Sequence, residues 1–119
     1  MNLKYKNYKR LPHWMKMEMP KGATYSRMKN RLNRYNLQTI CTSGKCPNIG
    51  ECWNRGVATF MILGDICTRS CKFCGVQSGK PAPADWEEPD KVAEMIHLMG
   101  MQHAVITSVD RDDLKDGGA

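Results

Sequence analysis

Long apolar segments are missing from this sequence. The apolar run around Phe60 to Leu63 is far shorter than the ~20 residues that a membrane-spanning helix needs. The N-terminal residues MNLKYKNYKR also lack the apolar stretch of a secretory signal peptide. We therefore expect neither a membrane protein nor a secreted one, and we predict a cytoplasmic location, where thiols stay reduced.

Acidic residues are scarce in the first third of the chain. Residues 1–36 contain ten Lys and Arg but one acidic residue, Glu18, whereas residues 85–119 contain three basic and nine acidic residues. Such a basic segment can meet nucleic acid, a membrane surface or an acidic protein. It is equally typical of a solvated helix face that only aids solubility. No recognised nucleic-acid-binding motif accompanies it, so we expect neither nucleic acid nor a membrane as partner.

The chain holds six cysteines, and all of them lie in two groups of three. The first trio comprises Cys41, Cys46 and Cys52, and the second trio comprises Cys67, Cys71 and Cys74. In a reducing compartment, clustered cysteines bind metal or do redox chemistry more often than they form disulfides. A disulfide framework remains an open alternative.

Hydrophobic periodicity predicts the elements around these cysteines. Apolar spacings of three and four predict an amphipathic helix from about Ala23 to Tyr35 and a second from Pro89 to about Met99. Short apolar runs predict a buried strand at 58–64 and a second, apolar strand at 103–109.

The remaining segments are predicted loops, and the order of the strands and the helix between them indicates the fold class. Residues 41–56 and 77–89 are rich in turn-forming residues and are predicted loops. A strand, a helix and a second strand form one β-α-β unit, which predicts an α/β fold with parallel strands and a right-handed crossover. One unit cannot cover both faces of a parallel sheet, so we expect the front part of a larger α/β protein.

The second trio forms the pattern C-x3-C-x2-C directly after a predicted strand, at the edge where α/β sheets place their sites. Three thiolates so close together suit a cubane iron–sulfur cluster. They leave one iron open to a small molecule, as catalytic zinc keeps an open position. A thioredoxin-like pair formed by Cys71 and Cys74, which leaves Cys67 unexplained, or a zinc site completed elsewhere remains open.

Both trios resemble known motifs. The second trio, with Phe73 directly before its last cysteine, resembles the signature of radical S-adenosylmethionine (SAM) enzymes. The first trio, in TICTSGKCPNIGECW, resembles the auxiliary-cluster motif of the lipoyl synthase family, and ATFMILGDICTRSCKFC and VITSVDRDDLKDGGA are also similar to that family. The resemblance implies an incomplete radical-SAM (β/α) barrel, whose first β-α-β unit lies in residues 57–119. A basic, mostly helical and loop extension in residues 1–56 would carry the auxiliary motif.

The resemblance also implies a role for each candidate residue. The second trio would ligate a 4Fe–4S cluster that binds S-adenosyl-L-methionine, and the first trio would ligate an auxiliary 4Fe–4S cluster that donates sulfur. Phe73 would lie near the adenine of the cofactor. In the alternative interpretation, its ring packs in the core and fixes the loop. Arg111 and Asp112 would bind the cofactor, with a helix cap and salt bridges as the plain alternative.

One element of the family pattern is absent. The auxiliary cluster's fourth ligand in the family is a serine in an Arg-Ser-Ser-type motif near the C-terminus. Ser70, Ser78 and Ser108 lie in other contexts. This departure favours the interpretation that the chain is an N-terminal fragment.

The implied activity is radical insertion of two sulfur atoms at C6 and C8 of an octanoyl group bound to a lysine, with S-adenosyl-L-methionine cleaved to methionine and a 5′-deoxyadenosyl radical. The partners would be a reducing electron donor and an octanoylated lipoyl-domain protein, either the E2 subunit of a 2-oxoacid dehydrogenase or the glycine cleavage H protein. Two other classes stay open. An iron–sulfur electron carrier normally holds each cluster with four cysteines, and a zinc-binding interaction module needs a fourth ligand for each site.

Overall fold

A computed structural model describes residues 10–119, so the first nine residues of the basic segment lie outside the described part. A short 3-10 turn at His13–Met15 precedes the regular elements. The helices are α1 (Ala23–Tyr35), α2 (Ile40–Ser43), α3 (Ile49–Asn54) and α4 (Glu88–Leu98). The strands are β1 (Gln38–Thr39), β2 (Val57–Ile62), β3 (Ile66–Cys67), β4 (Gln77–Ser78) and β5 (His103–Ser108). The chain is thus a mixed α/β structure with short sheets.

The two predicted long strands pair in parallel, as the β-α-β interpretation requires. β2 lies beside β5 in a register that runs from Val57 opposite His103 to Ile62 opposite Ser108. Helix α4 connects them, and it begins with Pro89 in its first turn and ends before Gly100, which has φ +60°. Proline has a fixed φ suited to a helix start, and glycine tolerates positive φ after a helix end. Both long helices and both long strands are therefore confirmed.

The prediction of a loop at residues 41–56 was wrong, because this segment contains α2 and α3. The Thr39 hydroxyl caps α2 by accepting from the amide of Thr42 at 3.3 Å. Glu51 and Arg55, one turn apart, form an ion pair at 2.8 Å across the end of α3. Helices this short complete about one turn, so they cannot display the repeated apolar spacing that reveals a longer helix.

Two short strand pairings were also not predicted from the sequence. β1 pairs antiparallel with β2, opposite Phe60 and Met61. β4 falls within the predicted loop at 77–89 and pairs in parallel with β3. The segment that carries the second trio is therefore tied at its base by a small two-stranded ladder. Among residues 10–119, no helix has the combined length and apolar content that crossing a membrane requires.

One hydrophobic core lies between the helices and the main sheet. Met28 from α1, Trp53 from α3, Phe60 from β2 and Met95 from α4 are at most 2% exposed. The indole of Trp53 stacks on the Tyr25 ring at 5.2 Å between centroids. Residues from before and after position 56 thus share this core, which fixes the first-trio segment against strand β2.

Candidate metal centre and the loop that carries it

The second trio lies in the loop between β3 and β4. Cys67 ends β3, and its carbonyl oxygen accepts from the amide of Gly79 at 3.0 Å. Cys71 and Cys74 bracket a turn, in which the Cys74 amide donates to the Cys71 carbonyl at 3.1 Å. All three thiols are free, with Cys67 half-buried and the other two exposed. The loop therefore exposes Cys71 and Cys74 to solvent, whereas Cys67 is partly covered.

The thiol of Cys67 is held against the segment that follows β5. The backbone amide of Asp110 donates to Cys67 Sγ at 3.3 Å. Next to it, the Thr68 amide donates to the Asp110 carbonyl oxygen at 3.1 Å. These contacts join the segment after β2, which carries the second trio, to the segment after β5. The two strands are parallel neighbours, so both segments leave the same edge of the sheet.

The carboxylate of Asp112 ties the same two segments together. Arg69 donates to it through two nitrogens, Nε to Oδ2 and Nη2 to Oδ1, each at 3.1 Å. The Thr68 hydroxyl lies 2.8 Å from Asp112 Oδ2 and accepts from the Asp112 amide at 3.1 Å. Hydrogen bonds first from Arg69 and then from Thr68 hold the pKa of Asp112 below its usual range. Asp112, proposed from sequence as a cofactor ligand, thus binds two residues that sequence reasoning missed, because no spacing pattern linked positions 68 and 112.

Arg111 is buried, at 2% exposure, beneath the end of β2. Its Nη1 donates to the carbonyl oxygen of Leu63 at 2.9 Å, and its Nη2 donates to that of Ala82 at 3.0 Å. Its Nε and Nη2 bind the Asp113 carboxylate at 2.9 Å each, and the Arg111 hydrogen bond holds the pKa of Asp113 below its usual range. In the described residues this guanidinium is used for internal hydrogen bonds and an ion pair, and its contact with a cofactor stays a prediction.

Phe73 is 94% exposed. The alternative that it pins the loop as a core aromatic finds no support among residues 10–119. An exposed ring beside the last cysteine of the second trio is free to contact a ligand, so the adenine contact stays a prediction.

The first trio is spread over the two short helices and their connection. Cys41 lies in α2, Cys52 lies in α3, and Cys46 lies between them with its amide donating to the Cys41 carbonyl at 3.0 Å. All three thiols are free and half-buried. Two short helices hold Cys41 and Cys52, and the hydrogen-bonded connection between the helices holds Cys46.

The segments that carry the two trios approach each other at Gly75 and Gly44. A Cβ built on Gly75, directly after Cys74, would lie 3.4 Å from Gly44 Cα and 3.5 Å from the Ser43 carbonyl oxygen. The turn after the second trio therefore packs on the backbone of the first-trio segment. Two cysteine-bearing segments that are separate in sequence therefore lie in contact at this point.

The donor set fits iron–sulfur chemistry. Six free thiols in groups of three match the cysteine thiolate ligands of such clusters. Among residues 10–119, no three Cys, His, Asp or Glu side chains converge closely enough to hold a single metal ion. In a cluster, however, each thiolate binds a different iron, so the ligands need not meet at one point.

Comparison with known proteins gives consistent similarities. A family model described as "N-terminal domain of lipoyl synthase of Radical_SAM family" matches residues 1–46. Over 108 residues, 91% of this chain, the chain is 60% identical to a lipoyl synthase of Flavobacterium johnsoniae and 59% identical to one of Christiangramia forsetii. A protein named mitochondrial lipoyl synthase from Nematostella vectensis is 59% identical over the same length. The matched region covers 37–38% of these three relatives.

Proposed function

We infer that this chain belongs to the lipoyl synthase family over the N-terminal part that it spans. Its protein then inserts two sulfur atoms, at C6 and C8, into a lysine-bound octanoyl group of a lipoyl-domain protein. The observation that carries this proposal is the packing of Gly75 on the Gly44 backbone, which brings the loop of the second trio against the segment between Cys41 and Cys46. A donor of radicals and a donor of sulfur must act on one substrate chain, and adjacent loops suit that requirement.

Each trio has its own task in this proposal. Cys67, Cys71 and Cys74 hold the 4Fe–4S cluster that binds S-adenosyl-L-methionine, and Cys41, Cys46 and Cys52 hold the auxiliary cluster that supplies sulfur. When bound, these groups supply the electron that cleaves the sulfonium and the sulfide that is inserted. No side-chain acid or base can activate an unactivated C–H bond in their place. The exposure of Cys71 and Cys74 suits the second trio to meet a small-molecule ligand.

The protein's own part is to hold the loop that carries the second trio. The amide of Leu63, at the end of β2, donates to Glu88 Oε1 at 2.7 Å, and its carbonyl accepts from Arg111. Both polar groups of this residue are fixed four positions before Cys67. The exposed Phe73 ring is available to cover the adenine of the bound cofactor. We place the start of a (β/α) barrel in residues 57–119 and an extension in residues 1–56.

The partners follow from the substrate and the charge distribution. The octanoyl carrier is a lipoyl-domain protein, and an electron donor reduces the clusters in the cytoplasm. The basic segment before residue 37 would steer a carrier with an acidic surface.

Product analysis with cysteine variants tests this function in the protein expressed from its complete reading frame. Replacing the second trio with alanine should abolish reductive cleavage of S-adenosyl-L-methionine. Replacing the first trio should leave that cleavage in place but abolish lipoyl formation. Cleavage that persists without the second trio, or lipoyl product formed without the first trio, would contradict the proposal. Cleavage with no sulfur insertion by the unaltered protein would point to a different radical reaction.

A further inference from the structure

The thiol of Cys67 differs from the other two in its trio because it receives a backbone hydrogen bond. The Asp110 amide donates to its Sγ at 3.3 Å, whereas Cys71 and Cys74 are exposed. Hydrogen bonds to cluster sulfurs, cluster charge and solvent exposure set the reduction potential of an iron–sulfur cluster. The Asp110 amide, which is hydrogen-bonded to one ligand sulfur, is therefore positioned to change the reduction potential of the cluster.

This amide donor depends on the placement of the segment after β5. The Thr68 hydroxyl lies 3.0 Å from the Asp110 carbonyl oxygen and 2.8 Å from Asp112 Oδ2. A hydroxyl has one proton to donate, so it favours the charged acceptor, while its lone pair accepts from the Asp112 amide at 3.1 Å. Arg69 adds a bidentate contact to Asp112 and lies 3.7 Å from Asp110 Oδ2. Thr68 contacts the chain on both sides of Arg111, and so it fixes the segment that presents the Asp110 amide.

We propose that Thr68, Arg69 and Asp112 form a positioning latch that holds the Asp110 amide against Cys67 Sγ and thereby raises the reduction potential of the cluster bound by the second trio. The inference rests on the proposed function, because it needs that cluster. Reduction adds negative charge to the cluster and its ligand sulfurs, and an N–H dipole directed at a sulfur stabilises that charge. Loss of the latch frees the amide and makes the cluster harder to reduce.

A redox titration followed by electron paramagnetic resonance tests the latch. The protein is expressed from its complete reading frame and carries alanine at the first trio, so that one cluster contributes to the signal. Thr68→Val keeps the side-chain shape but removes the hydroxyl, and Thr68→Ser keeps the hydroxyl. We expect Thr68→Val to lower the equilibrium constant for one-electron reduction about tenfold, which is about 59 mV. Thr68→Ser should retain the original potential, as should the matched control Thr24→Val in helix α1.

A second measurement needs no substitution. After exchange into heavy water, the reduced cluster of the unaltered protein should show a coupled deuteron from the Asp110 amide. Assignment by selective labelling of aspartate nitrogen identifies it, since Asp110 is the aspartate whose amide lies on Cys67 Sγ.

The outcomes separate this inference from the proposed function. A cluster that cleaves S-adenosyl-L-methionine but shows no such deuteron, or the same potential in Thr68→Val and Thr68→Ser, overturns the latch and leaves the function standing. Protein that binds no iron–sulfur cluster at the second trio overturns both. A lowered potential confined to Thr68→Val supports the latch, and so does the deuteron coupling in the unaltered protein.

Discussion

Arg111 Nη1 donates to the carbonyl oxygen of Leu63 at 2.9 Å, joining residues 48 positions apart. Leu63 has φ +68°, a left-handed conformation that is unfavourable for a leucine. Its amide is bound by the buried Glu88 carboxylate at 2.7 Å. Hydrogen bonds on both sides of this residue hold a strained turn in place, directly before the segment that leads to the second trio.

Replacing Glu88 tests this support of the turn. Glu88→Ala leaves the partly buried Leu63 amide without its partner, which should cost about 1 kcal/mol of unfolding free energy, the low end of the range for an unpaired donor. Glu88→Gln keeps an oxygen acceptor and should cost less than half as much. Urea unfolding measures both. Equal losses for the two variants would show that the hydrogen bond to Leu63 does not matter.

Trp53 anchors the first-trio segment in the core, where it is 2% exposed and stacked on Tyr25. Trp53→Ala should lower the unfolding free energy by about 3–5 kcal/mol because it leaves a large cavity. Trp53→Phe should cost much less, since it also removes an indole N–H that has no partner among the described residues. The matched control is Trp14→Ala, at a side chain 79% exposed, with an expected change within about 0.5 kcal/mol. A loss for Trp14→Ala as large as that for Trp53→Ala would contradict this view of the core.

The long elements were predictable from sequence because each repeats its pattern several times. Helix α1 matches the predicted Ala23 to Tyr35, and the apolar runs at 58–64 and 103–109 became parallel strands. The one-turn helices α2 and α3 were missed, since a single turn has no period to detect.

The candidate site was predictable in part. Cysteine spacing identified the two trios, but the contact between Gly75 and Gly44 depends on how α2 and α3 pack. The hydrogen bonds of Thr68 and Arg69 to Asp112 join segments 43–44 positions apart. No local pattern encodes such contacts, because they arise only when two parallel strands align their ends.

An ion pair at the start of helix α4 has a predictable pH dependence. The hydrogen bond from Lys91 Nζ to Asp85 Oδ2, at 2.7 Å, holds the pKa of Asp85 below its usual range. A carboxyl with a lowered folded-state pKa adds stability above its unfolded pKa of about 3.9 and loses it as the pH falls through the folded value. Asp85→Asn should therefore lower the Tm at pH 7, with a difference from the unaltered protein that shrinks below about pH 3.9. Calorimetry across this pH range measures the Tm difference. A Tm difference that stays the same below about pH 3.9 would exclude the ion pair as its cause.

The basic segment should steer the octanoylated carrier. Within this segment, helix α1 carries three exposed basic side chains, those of Arg27, Lys29 and Arg34. Changing all three to Gln should slow association with an octanoylated lipoyl-domain protein about tenfold at low salt, because steering raises on-rates by at least that much. Stopped-flow measurement should show the difference fading as salt rises.

A charge-matched control separates this segment from net charge. Lys45, Lys80 and Lys115 are exposed and lie outside the basic segment, and their replacement by Gln removes the same total charge. This variant should keep most of the original association rate. Equal slowing by both variants would assign the effect to net charge, and no slowing by either would leave the segment a solubilising one.

The central claim is that each trio holds its own iron–sulfur cluster. Metal and sulfide analysis tests it on protein expressed from its complete reading frame and purified without oxygen. The expected content is about eight irons and eight sulfides per chain, falling to about four of each when either trio is replaced with alanine. Stoichiometric zinc without sulfide, or an iron content that stays the same after Cys67, Cys71 and Cys74 are changed, would contradict it.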